Sequence, residues 1–545
     1  MSENNGSTGN KKFLKGTLIL TASSMVVKVI GSVNWIILSR ILGGEGIGLY
    51  QMGFPIYLMA ITVSSAGIPV AISIITAEKV AENDFFGAKR VFNVSLRLLF
   101  ISGLVFSSAL WFGAGWLIEN HWIRDARAYY SIIALAPAVF FVTFLASFRG
   151  YLQGWQIMMP TAASEVVEQL MRVVTMIVFA YMFMPYGLEY AAGGASMGAG
   201  VGAFCALLVL MWFYARLKRS LKDKMQGAVA AKKPEAAGKI IMRLLKLALP
   251  VSLSSLMLPV VANLDLLIVP QRLEAAGFSV GESTELFGYL TGMAVPLVNL
   301  ATIFTAAMTI NLVPAISESR TLKDAAGIKA KISTAFRVAM IITMPCSVGL
   351  YFLAGDVAAL IYNAPGAAGA IRTMSFGIFL LGLHQISTGI LQGLGKTALP
   401  VIAMILAAAI KVCLSWVLTA RPELGINGAS LATLADFGIA ALLNMVFIYK
   451  HTHYSLSLDG IFKPALASAL MGAAVYGVLV AAQGFGAWAI LAAMIVAVPV
   501  YAVALAGFGG LTKEDLEDIP FIGRRVLAVG RRFASCGRSS YREPE

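Results

Sequence analysis

The chain has 545 residues, of which 58% are hydrophobic and 13% charged, with a mean hydropathy of +0.80; it is far too apolar for a soluble globular domain. Its formal charge of +14 falls in loops between long apolar runs, which argues against a nucleic-acid partner and for a membrane surface. The four cysteines, Cys205, Cys346, Cys413 and Cys536, have no CxxC or Cys/His spacing, so neither a disulfide framework nor a metal site is expected.

The opening MSENNGSTGNKKFLK is polar and basic. The apolar run behind it, 16–41, is longer than the core of a leader and lacks a small-residue cleavage site, so it reads as a first membrane span. Taking apolar stretches of ~20 residues as helices that cross the bilayer gives fourteen spans: 16–41, 48–77, 94–118, 129–149, 160–183, 191–215, 247–270, 285–315, 334–355, 370–391, 400–420, 427–449, 463–483 and 487–509. An even count puts both termini on one side. Of the 42 Lys and Arg, 32 fall on that side, 6 fall in the opposite loops (Arg40, Arg124, Arg127, Arg272, Arg372, Arg421) and 4 lie within spans (Lys28, Arg97, Arg172, Lys411). The positive-inside bias then makes the termini cytoplasmic. The basic loop RLKRSLKDKMQGAVAAKKPEAAGK and the tail segment GRRVLAVGRRF are expected to orient the chain and touch anionic lipid.

The chain says several things twice. GYLQGWQIMMP (150–160) returns as GILQGLGKTALP (389–400), placing Gly150, Gln153 and Gly154 over Gly389, Gln392 and Gly393 at an offset of 239. Asp84, Gly87, Lys89 and Arg97 map onto Asp324, Gly327, Lys329 and Arg337 at an offset of 240, GGAS (193–196) echoes NGAS (427–430), and TASSM echoes LSSLM. Six spans separate the copies, so both halves keep one orientation and form parallel repeats about an axis along the membrane normal. The expected architecture is an all-α polytopic membrane protein: an N-lobe with a basic, flexible cytoplasmic linker (1–243), a C-lobe (244–450), two further spans (451–510) and a basic tail (511–545). The repeated GxLQG is a tight turn, with Pro160 or Pro400 starting the next helix.

From TLILTASSMVVKVIGSVNWIILSRILGGEGIGLYQMGFPIYLMAITVSSAGIPVAIS (17–73), with LSRILGGEGIGLYQM and the later GxLQG as its most specific parts, the chain resembles the multidrug/oligosaccharidyl-lipid/polysaccharide exporter superfamily. Within it the resemblance is to the stage V sporulation protein B-like polysaccharide transporters, which neighbour the lipid II flippases. That resemblance implies a non-enzymatic flippase in the bacterial cytoplasmic membrane. It would work as a monomer without a cofactor, move an undecaprenyl-pyrophosphate-linked sugar to the outer leaflet, and hold the polyprenyl tail in an apolar groove at spans 13 and 14.

An ionisable side chain inside a span is costly unless it is paired or lines water. Lys28 lies well inside span 1; Arg172 and Lys411 each lie about three turns past the prolines that start spans 5 and 11, at mid-depth. Arg172 and Lys411 are also repeat equivalents. The three cations are expected to face one cleft and bind a pyrophosphate, which needs charge-assisted donors. Lys28 stands in VKVIG where lipid II flippases carry an arginine, and Asn34 replaces their next arginine; it is kept as a substrate contact. Glu165, Glu168 and Arg172 share one helical face; the carboxylates either neutralise the arginine or release it to substrate and take a proton. In the second half Asp265 and Asp436, with Asn263 and Thr433, offer oxygen ligands for a coupling Na⁺, or carboxylates for H⁺. Sodium-coupled relatives place acids on spans 7 and 11, whereas span 11 here carries Lys411. His384 is either a proton relay or a packing residue, and Arg97 and Arg337 read as snorkelling anchors.

A drug/cation antiporter of the same superfamily would need an acidic, aromatic-lined cleft, and the mid-depth charges here are mainly basic. A glycosyl-chain polymerase or glycosyltransferase would need a sizeable outer loop; the longest is QRLEAAGFSVGEST, and no Walker loop or DxD arrangement is present.

Overall fold

A computed structural model of the chain describes residues 3–65, 67–226, 235–455, 458–482 and 486–510. Every regular element among them is helical. The expected basic tail 511–545 and the middle of the basic loop lie outside the described residues.

The first helical run, Glu3–Ser65, is divided by Gly43, whose φ of 65° and ψ of −174° lie where only glycine sits without strain. Its two arms are α1 (3–42) and the start of α2 (44–65), which continues as Ile68–Ala81 after a second break. There Gly67, at φ 75°, approaches Ala248 so closely that a Cβ would lie 2.4 Å from its carbonyl oxygen. The helices α3 (Phe85–Glu119), α4 (Tyr129–Gly154), α5 (Met159–Phe183) and α6 (Leu188–Gln226) complete the first lobe. The second comprises α7 (Ala237–Ala275), α8 (280–321, with a π turn at Tyr289–Ala294 and a 49° bend at Thr302), α9 (Ala325–Asp356), α10 (368–393), α11 (Ala398–Leu418) and α12 (Ile426–Thr452). Then α13 (Leu458–Ala481) and α14 (Ala487–Gly507) pack on α9 through Met471, Val475 and Ala493 against Val348 and Phe352.

By length and apolarity twelve helices among the described residues can cross a membrane, or thirteen when the bent pair in α8 counts as one span. The expected fourteen is reached only by dividing the 59-residue segment Ser23–Ala81 at Gly43, which at 1.5 Å per residue is far too long for one ~30 Å crossing. Large apolar side chains such as Phe112, Ile495 and Val498 stay exposed, as on a surface solvated by lipid.

The two lobes repeat their local chemistry. Asp84 caps α3 by accepting from the Gly87 amide at 2.7 Å, and Asp324 caps α9 by accepting from Gly327 at 2.8 Å; each follows a residue with positive φ, Asn83 and Lys323. Gly154 lets α4 lie on α2 at Thr76, and Gly393 lets α10 lie on α8 at Ile316. The contact between lobes repeats as well. A Cβ on Gly48 would lie 2.0 Å from the Thr284 carbonyl, and one on Gly288 would lie 2.2 Å from the Gly44 carbonyl. Since 44 corresponds to 284 and 48 to 288, exchanging the halves turns one contact into the other. That is the signature of a pseudo-two-fold axis, and it passes through the crossing of α2 and α8.

The flexible linker expected over 216–243 is shorter than the sequence suggested. Helix α6 runs on to Gln226 because Tyr214 and Leu217 reach the same apolar cluster as Phe92 and Tyr151, and α7 begins at Ala237. Ile240, Leu244 and Ala248 at the start of α7 belong to that N-lobe cluster too, so α7 is anchored in both lobes. Pro250, Pro259 and Pro270 lie inside it, each removing an intrahelical donor.

Candidate functional site: the interlobe cleft and its charged residues

The end of the bundle away from the start of α1 is closed. Gln51 of α2 donates to the Thr291 carbonyl of α8 at 2.7 Å. Arg40, at the end of α1, donates to the carbonyls of Leu360 and Ile361 beyond α9. Arg124 pairs with Glu274 at 3.1 Å, and Thr284 donates to Asp125 at 2.9 Å. Each of these bonds joins the two lobes. Deeper in the bundle Asn263 of α7 donates both to the Pro55 carbonyl of α2 and to the Pro259 carbonyl of its own helix, each at 2.8 Å.

The three cations expected to share one cavity occupy three separate settings. Lys28 is exposed and lines a cavity of about 160 Å³ between α1 (Leu20, Ser24, Met25) and α8 (Ile303, Ala307, Ile310). It has no ion pair among the described residues, and it is the cation that stands in the gap between lobes. Arg172 is held within the first lobe. Its Nη2 donates to Glu168 at 2.7 Å, and Arg149 of α4 donates to the other oxygen of the same carboxylate at 2.8 Å. Glu165 stands beside Arg149 and Glu168, and Tyr50 and Tyr57 of α2 stand beside Arg172. One carboxylate thus bridges two guanidiniums on neighbouring helices.

Lys411 is turned to the second lobe's own acid. Its ammonium lies 2.6 Å from Asp265 Oδ2 on α7, and Asp436 of α12 is the next carboxylate. A residue expected to bind substrate and one expected to bind a coupling ion are therefore partners. The cause is local: position 407, one turn before Lys411, is Ala, whereas the equivalent position before Arg172 is Glu168, so the lysine must find its counter-charge on another helix.

The remaining candidates divide similarly. Asn34, 4% exposed, is packed into the first lobe with its amide 3.7 Å from the Met176 sulfur, away from the gap that Lys28 lines. Asn263 spends its donor on backbone carbonyls, and the Thr433 hydroxyl donates to the Ala429 carbonyl at 3.1 Å. His384 is on α10 with its Nδ1 buried and without a hydrogen-bond partner among the described residues. Sequence reasoning missed Arg149, which it left at the cytoplasmic turn; the signal was a break in the repeat, since Thr388 stands at the equivalent place. It also missed Gln51 and Arg40 as interlobe bonds, because a polar residue near a span end looks the same whether it meets water or the other lobe.

Two six-helix lobes sharing a pseudo-two-fold contact, shut at one end and carrying charges at mid-depth, define a multi-pass membrane protein built like an alternating-access transporter. The chain belongs to the polysaccharide biosynthesis protein family, whose pattern matches residues 13–320. It is 30% identical over 522 residues to stage V sporulation protein B of Bacillus subtilis, covering 94% of this chain and 99% of that one. It is 25% identical over 483 residues to the lipid II flippase MurJ of the same organism, covering 86% and 88%. Among solved structures it matches the inward closed conformation of lipid II flippase MurJ with a TM-score of 0.69 at 15% identity, covering 90% of this chain and 98% of that one. An inward-facing multidrug resistance MATE family transporter of the MOP superfamily matches with a TM-score of 0.64 at 17% identity, covering 80% and 98%.

Proposed function

We propose that this chain is a flippase that moves a polyprenyl-pyrophosphate-linked oligosaccharide across the bacterial cytoplasmic membrane by rocking of its lobes, with both termini cytoplasmic. The observation that carries the reading is Lys28. A lysine inside a span is retained at a cost of several kcal/mol unless it meets water or an anion, and this one faces a gap between α1 and α8 rather than a carboxylate. A pyrophosphate supplies the missing anion. Arg149 and Arg172 form a second station: substrate phosphate competes with Glu168 for the two guanidiniums, and the carboxylate so released takes up a proton. The family membership and the relatives named for lipid-linked substrates support the substrate class, and the polyprenyl tail would lie along α13 and α14.

The test is leaflet exposure of defined lipid-linked sugars in vesicles containing the purified chain. Lys28→Ala is expected to lower the flipping rate at least tenfold and Lys28→Arg to retain most of it, because charge rather than shape is required. A normal rate for Lys28→Ala overturns the assignment of the anion site.

A further inference from the structure

Lys411 does more than neutralise Asp265. It is 4% exposed on the buried face of α11 that it shares with Ala403, Ala407 and Ser415. Its ammonium touches Asp265 Oδ2 on α7 at 2.6 Å, and Asp436 on α12 stands close enough to interact with both charges. One turn further along the same face the Ser415 hydroxyl, in a residue 2% exposed, has no hydrogen-bond partner among the described residues. The two carboxylates that face the ammonium from α7 and α12 are oxygen ligands of the kind that hard cations take, and the idle hydroxyl lies one turn along the same buried face of α11. At this depth the carboxylates cannot stand bare, and here the chain itself supplies the positive charge.

We propose that the Lys411 ammonium is a tethered occupant of a C-lobe cation position formed by Asp265, Asp436 and Ser415, so that this position is closed to Na⁺ in the parent chain and opens to it when the ammonium is removed. The primary ammonium is a compact point charge with three donors, able to stand where a monovalent ion would. The inference concerns ion selectivity and holds or fails independently of which lipid is moved.

The experiment uses the full chain purified in detergent, with NaCl exchanged for choline chloride at constant ionic strength, and reads both thermal melting and binding of radioactive Na⁺. The parent is expected to melt at the same temperature in both salts and to bind no Na⁺. Lys411→Ala is expected to melt lower than the parent in choline, to regain several degrees in NaCl, and to bind about one equivalent of Na⁺; adding Asp265→Asn abolishes both effects. Lys411→Met keeps the apolar stem and serves where the alanine variant does not fold. Sodium binding by the parent that Asp265→Asn removes overturns the proposal, and so does a folded Lys411→Met or Lys411→Ala that ignores Na⁺. Since no lipid substrate is present, these outcomes are separable from failure of the flippase reading, which the vesicle assay decides.

Discussion

Among the described residues, Glu168 is the one carboxylate that ion-pairs directly with Arg149 and Arg172, and replacing it by Gln removes that charge while keeping the shape of the side chain. All three groups are largely buried, with Glu168 itself 13% exposed. Breaking a buried pair by removing one partner costs about 3–5 kcal/mol, because the remaining charge is left desolvated without compensation. Here two guanidiniums lose a partner. Glu165 sits near enough to recover part of the loss, so the net cost is placed at about 3 kcal/mol, the lower end of that range. A comparison of single and triple variants in detergent, read by thermal melting, checks the origin of the cost. Glu168→Gln alone should lower the melting temperature by several degrees. The triple variant Arg149→Gln, Glu168→Gln, Arg172→Gln should recover much of it, since it strands no guanidinium. If Glu168→Gln melts within a degree of the parent, the carboxylate is not bridging two arginines, and the second phosphate station loses its basis.

Three further outcomes follow from the geometry. Gly48→Ala places a Cβ 2.0 Å from the Thr284 carbonyl, a clash with backbone that should cost about 1–3 kcal/mol; a cysteine introduced at Ser283 should then react faster with an impermeant thiol reagent, and an unchanged rate would mean α2 and α8 do not seal that end. Asp84→Ala and Asp324→Ala each remove an N-cap and should each cost about 1 kcal/mol, adding in the double variant because the two lie in different lobes; strong non-additivity in melting would contradict the repeat geometry. A cysteine placed within residues 220–235 should stay unlabelled by an impermeant reagent in intact cells, and labelling would reverse the proposed orientation.

Much of the architecture was legible because it is written locally. Apolar runs mark helices, and the polar landmarks of the repeat mark turns and caps; Asp84 and Asp324 do the same work in the structure that their spacing implied. The number of crossings was less legible, since Gly67 breaks a helical run inside the expected span 48–77 and Thr302 another inside 285–315, and hydropathy does not distinguish a bend inside a membrane from a turn at its surface. The site was legible only within a helix. Glu168 and Arg172 share a face at i and i+4, so their pairing could be read directly. Arg149 reaches the same carboxylate from α4, Lys411 finds Asp265 across 146 positions of sequence, and Asn34 turns to Met176; all three depend on how helices are rotated against each other, which periodicity in a uniformly apolar span does not fix.

The asymmetry of the lobes carries the functional argument further. Duplication preserved what shapes the scaffold: the paired caps, the glycines at the α2/α4 and α8/α10 crossings, and the exchangeable contact of Gly44 and Gly48 with Gly288 and Thr284. It did not preserve the charges. Arg172 and Lys411 occupy equivalent places, yet the first has its carboxylate on its own helix with a second arginine beside it, while the second reaches across to α7, a helix anchored in both lobes. A substrate whose charge is concentrated in one phosphate group meets only one lobe's cations at a time, and the other lobe is then free to satisfy its charge internally. Under the proposed function the N-lobe arginines would exchange partners during transport, whereas the Lys411–Asp265 pair ties α7 to α11 of the C-lobe, and bending of α7 at its prolines would be the motion that opens the closed end.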